Sequence, residues 1–132
     1  MGAEPYSYEV EYEEELENLF RKLQQSVFES KDFRCNVDNP SSIQEVLMNA
    51  DESGTASILD IFGLSDSHQI GHLSPLTEEE KSEYFGTLKP SLGQVKNSNK
   101  FWDSIGRVEA RYVIIYEGDK PVNIFVAGYS AD

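Results

Sequence analysis

Two stretches near the C-terminus, Tyr112-Val113-Ile114-Ile115-Tyr116 and Val122-Asn123-Ile124-Phe125-Val126-Ala127, are apolar at almost every position. Successive side chains of a β-strand point to opposite faces, so strands of this kind have to be covered on both sides. The polar turn Glu117-Gly118-Asp119-Lys120 stands between them. Val108 to Tyr116 and Pro121 to Tyr129 therefore read as a β-hairpin at the centre of an antiparallel sheet, and the rest of the chain must supply its cover.

The N-terminal third offers one long helix. Leu16, Leu19, Phe20, Leu23 and Val27 recur on one face, with Glu14, Glu15, Asn18, Arg21, Lys22 and Gln25 on the other. This predicts a helix over about residues 11–29, its acids early and its basic residues late, as the helix dipole favours. Tyr6 to Tyr12 is ambiguous: it alternates as a half-buried strand would, yet Tyr8 and Tyr12 also fit the helical spacing. Phe33, Cys35 and Val37 suggest a short strand ending at Asp38-Asn39-Pro40. Ser42 with Glu45, and Thr77 with Glu80, are capping-box pairs that open helices, the second running over 77–85 and closed by Gly86. Ser57 opens a further short helix through Ile58 to Phe62. Residues 64–76 and 87–100, rich in Ser, Gly, Pro and Asn, read as irregular connections, followed by a turn of helix around Phe101 to Ile105.

With 132 residues, no internal repeat and 34 Leu, Ile, Val and Phe, the chain has material for one core. The expectation is a single α+β domain over residues 1–132: an N-terminal helix and short helices packed on an antiparallel sheet centred on the hairpin. One cysteine makes no internal disulfide, and no signal peptide or membrane-length apolar run is seen, so a cytoplasmic location is expected. Gly2 lacks the Ser or Thr that myristoylation wants at position six, where Tyr6 stands.

Motifs for chemistry are tested and set aside. His68 and His72 have the spacing of a zincin helix, but Gln69 stands where the general base belongs. Cys35, alternating with Phe33 and Val37, suits a small core residue better than a nucleophile. The stretch Asp51 to Phe62 has Ala56 where a calcium loop needs glycine, and Phe62 where it needs a bidentate Glu. No phosphate loop, dinucleotide fingerprint or nucleophile elbow is present. The expectation is no enzyme, no cofactor and no metal.

Charge is the remaining signal. The chain carries 24 acidic and 11 basic residues, a net charge of −13, which opposes binding to nucleic acid or anionic membranes. Residues 1–20 hold seven Glu and no basic residue, and residues 35–80 hold nine acids and again no Lys or Arg. Either these acids only keep the surface solvated, or they form a face for a basic partner, with tyrosines among them as anchors. The candidate contacts are Tyr8, Glu11, Tyr12, Glu14, Glu15, Asp38, Asp51, Glu52, Asp60 and Asp66. In charge, size and lack of catalytic motifs the chain is similar to immunity proteins of bacterial contact-dependent inhibition. That resemblance implies a monomer that occludes a basic, nuclease-type toxin domain in a one-to-one complex. The rival readings are a nucleic-acid mimic directed at a host DNA-binding protein, and a small enzyme using Cys35, His68 or His72.

Overall fold

Five strands form one sheet, in the spatial order Pro5–Glu11, Lys120–Tyr129, Glu109–Glu117, His72–Pro75 and Gly63–Leu64, with helices on both faces. The computed structural model describes residues 5–31, 33, 40–49, 55 and 57–130. The strands are β1 (Pro5–Glu11), β2 (Gly63–Leu64), β3 (His72–Pro75), β4 (Glu109–Glu117) and β5 (Lys120–Tyr129). The helices are α1 (Leu16–Ser30), α2 (Ile43–Asn49), α3 (Glu78–Phe85), α4 (Leu92–Lys96) and α5 (Asn99–Asp103), with a 3-10 turn at Ile58–Asp60. The described residues thus make one small α+β domain.

The hairpin β4–β5 lies inside the sheet, as two apolar faces require, and Ile124 to Gly128 is a continuous buried run. Its two-residue turn has Gly118 at φ +64°, a conformation that glycine adopts without steric cost. Ala110, Ile124 and Val126 face α1 and the 3-10 turn, together with Leu19, Phe20, Leu23, Val27, Val46, Ile58 and Leu59. Val113, Ile115, Phe125 and Ala127 face the other way, against Val95, Phe101 and Ile105.

The sheet is mixed, which corrects the antiparallel expectation. β1, β5 and β4 pair antiparallel, whereas β3 pairs parallel with both β4 and β2. The cause is the connection after β3: α3, α4 and α5 cross one face and return the chain to the end from which β3 started. A crossover of this kind brings β4 parallel to β3, whereas the two-residue pairing of β2 with β3 is reached through residues 65–71 alone. Two stretches read as irregular therefore contain structure, β3 and the end of β2 in the first and α4 in the second, while α5 matches the turn of helix expected around Phe101 to Ile105, starting two residues earlier. A capping box at Ser91 and Gln94 opens α4, and Ser98 caps α5. The boxed helix at Thr77 is observed, ending at Gly86 with φ +74°. Ser42 Oγ likewise accepts the Glu45 N–H at 3.1 Å at the start of α2.

The first helix begins at Leu16 rather than near residue 11. Tyr6, Tyr8 and Val10 alternate with exposed Ser7, Glu9 and Glu11, and the segment pairs with β5 in unbroken register from Pro5↔Tyr129 to Glu11↔Asn123. Tertiary pairing decides the ambiguity in favour of a strand. The strand expected around Cys35 lies outside the described residues.

Tyr6 packs over Gly128, its cross-strand neighbour. A Cβ at Gly128 would stand 2.5 Å from Tyr6 Cζ and Oη and 2.8 Å from the Glu109 carbonyl oxygen. The carbonyl belongs to the central strand and cannot swing away. Gly128→Ala is therefore expected to cost about 1–3 kcal/mol in a urea titration, through overpacking; an unchanged midpoint would show that the strands separate freely there.

Candidate protein interface

The N-terminal acids are positioned by the end of β1 and the entry to α1. Alternation along the strand turns Glu9 and Glu11 outward, and the turn that follows exposes Glu14 and Glu15. Two nearby acids are neutralised: Glu13 meets Lys22 Nζ at 3.0 Å and Glu17 meets Arg21 at 3.1 Å. Among the described residues no ion pair neutralises Glu9, Glu11, Glu14 or Glu15. Glu11 and Glu13 also border a groove of about 330 Å³ between β1 and α1, together with Val10, Leu19, Lys22 and Leu23. Acids before the first turn of α1 complement its dipole, so part of this charge serves the fold itself.

The candidate tyrosines are directed inward. Tyr8 is half-buried, and its hydroxyl accepts the Ile58 N–H at 3.2 Å, fixing the 3-10 turn. Tyr12 packs against the α1 core and donates its backbone N–H to the Val122 carbonyl at 3.1 Å. Asp60 is half-buried as well, and its Oδ1 accepts both the N–H and the hydroxyl of Thr55 at 2.8 Å. These three side chains hold the face of the sheet under α1.

Asp66 is exposed in the loop after β2. β1 and β2 are the opposite edges of the sheet, four strand spacings or roughly 19 Å apart. Glu9, Glu11, Glu14 and Glu15 are exposed along β1 and the entry to α1, and Asp66 stands at the far edge of the sheet from them. Burial, with some help from Asp66, raises the Tyr112 phenol above its usual range. Asp38, Asp51, Glu52 and Cys35 lie outside the described residues.

The two histidines do not share a helix face. His68 Nε2 lies 2.6 Å from Glu109 Oε1, which also accepts the Gly106 N–H at 2.6 Å. His72 starts β3, with Nδ1 3.0 Å from the Ile70 carbonyl oxygen and its ring edge-on to Phe62. Among the described residues no three His, Cys, Asp or Glu side chains converge on a common point. Also among them, no helix is long and apolar enough to cross a membrane.

Glu9 was missing from the candidate set. Its signal was the strand alternation of Tyr6 to Tyr12, which places every second residue outside once the segment is a strand. Comparison with protein-family models, with curated proteins and with solved structures finds no match to this chain.

Proposed function

We propose that this chain is an acidic protein-binding inhibitor, an immunity-type protein that neutralises a basic, nuclease-type toxin by stoichiometric occlusion in the cytoplasm. The observation that supports it is the set Glu9, Glu11, Glu14 and Glu15: exposed carboxylates with no ion-pair partner among the described residues, on a strand paired to β5 and on the helix entry that follows it. A nuclease cleft lined by Lys and Arg meets phosphates, and carboxylates, like phosphates, are anions that can accept two parallel N–H bonds from an Arg. The net charge of −13 supplies the long-range field. Complementary fields raise association rates by 10 to ~10³-fold, and the effect is screened over a Debye length of roughly 8 Å at physiological ionic strength.

The test is charge reversal. Glu11→Lys, Glu14→Lys and Glu15→Lys together should slow association with a basic nuclease domain at least about tenfold and flatten its salt dependence, with less effect on dissociation. The kinetics are read at several salt concentrations after circular dichroism has shown the variant folded. An association rate that ignores the reversal assigns the acids to solvation and dipole complementation alone.

A further inference from the structure

Among the described residues no helix covers the face of β1 that bears Ser7, Glu9 and Glu11, all three exposed. Where that bare face meets α5 there is a cleft of about 460 Å³, lined by Pro5, Tyr6, Ser7, Trp102 and Tyr129. Its aromatic wall is fixed. Trp102 and Tyr129 stand with ring centroids 5.8 Å apart at 82°, and Trp102 is held from behind by the edge contact with Phe125 at 6.4 Å. The cleft therefore combines two half-buried rings with an open strand surface on which Glu9 stands two residues beyond Ser7, about 7 Å along the strand. Lys100 stands two residues before Trp102 and Arg107 pairs with Tyr129 in an isolated β-bridge, and neither is among the residues that line the cleft.

The geometry points to a receptor for an arginine side chain of the basic partner: the guanidinium lies against Trp102 and Tyr129 and turns its outer N–H groups toward Glu9. A guanidinium is planar, weakly hydrated and suited to aromatic faces, where a cation gains most when the ring is Trp. The carboxylate beside the cleft and the negative field of the whole chain select a cation over a neutral side chain. The volume is within the range of small-ligand pockets and accepts a long side chain with part of its backbone. This inference rests on the basic-partner reading and adds to it the contact that slows dissociation, in place of the inward-turned Tyr8 and Tyr12.

Trp102 is the single tryptophan of the chain, so its fluorescence reports on this cleft alone. Hexa-arginine titrated at low salt is expected to change Trp102 emission saturably, and hexa-citrulline, which keeps the shape without the charge, is expected to leave it unchanged. Ser7→Arg places a guanidinium on the exposed floor without removing any packing; it should weaken the response to hexa-arginine about tenfold or more. Glu9→Gln should weaken it less. Equal responses to the two peptides, or a hexa-arginine affinity that Ser7→Arg leaves intact, would overturn the cleft as the arginine site. Binding measured by calorimetry without a Trp102 response would overturn it too while leaving the acidic-surface reading in place. The loss of all salt-dependent hexa-arginine binding would remove both.

Discussion

Glu80→Ala is expected to destabilise the protein by about 3–5 kcal/mol, an effect out of proportion to the quarter of the Glu80 side chain that solvent reaches. The reason is its partner. Arg111, on β4, is 1% exposed, and its guanidinium reaches Glu80 Oε1 at 2.7 Å, Glu80 Oε2 at 3.3 Å and the Pro75 carbonyl at 2.9 Å. Removing the carboxylate leaves a charge enclosed against the sheet with one neutral acceptor. Arg111→Met should cost much less, because it removes the buried charge and leaves Glu80 able to turn to water. This asymmetry between the partners is the diagnostic, and equal costs in urea titrations of the two variants would refute it.

The same pair makes a pH signature. Burial by itself would raise the Glu80 carboxyl, but hydrogen bonds from Arg111 and from the Thr77 N–H, with the guanidinium charge, hold it below the usual carboxylate value of 4.5. A group whose pKa is depressed by folding stabilises the protein above its unfolded pKa. That contribution fades as pH falls from about 4.5 through the folded value. The native protein should therefore lose more stability on acidification than Glu80→Gln does. Parallel pH profiles for the two would show that the pair contributes nothing.

Glu80 also shows what a sequence can and cannot display. Its role in the Thr77 capping box was legible because both members lie within four residues and helix entry requires them. Its ion pair was not, since Arg111 is 31 residues away and a charged residue within a strand normally points to the surface. The central hairpin was legible for the opposite reason: its apolar faces state their burial directly. β3 carries no such statement, because its partner β4 is reached by a long crossover rather than a turn, and α4 is a five-residue helix too short to show a periodic face. At the candidate interface, Glu11, Glu14 and Glu15 follow from local charge and strand alternation. Asp60 looked the same in sequence, yet its carboxylate closes the Thr55 loop, a hydrogen-bonding role that charge counting does not reveal.

Phe125→Ala is expected to cost about 3–5 kcal/mol, at the upper end for a single truncation in this fold. Phe125 is 2% exposed, sits on β5 between Val113 of β4 and Glu9 of β1, and meets Phe101 at 6.3 Å and Trp102 at 6.4 Å. The cavity left by its ring cannot close, because the flanking strands are fixed by their ladders and α5 by its Ser98 cap. Phe125→Leu should recover a large part of the loss by restoring apolar volume. The effect reaches the surface as well: without the ring behind it, Trp102 loses the contact that fixes its plane, and its emission should move to longer wavelength in the still-folded Phe125→Leu protein. A melting temperature unchanged in Phe125→Ala would show that α5 does not depend on this strand. An unshifted emission in Phe125→Leu would show instead that Tyr129 and Phe101, at 5.8 and 6.0 Å, hold Trp102 without Phe125, and the aromatic wall of the cleft would then be independent of β5 beneath it.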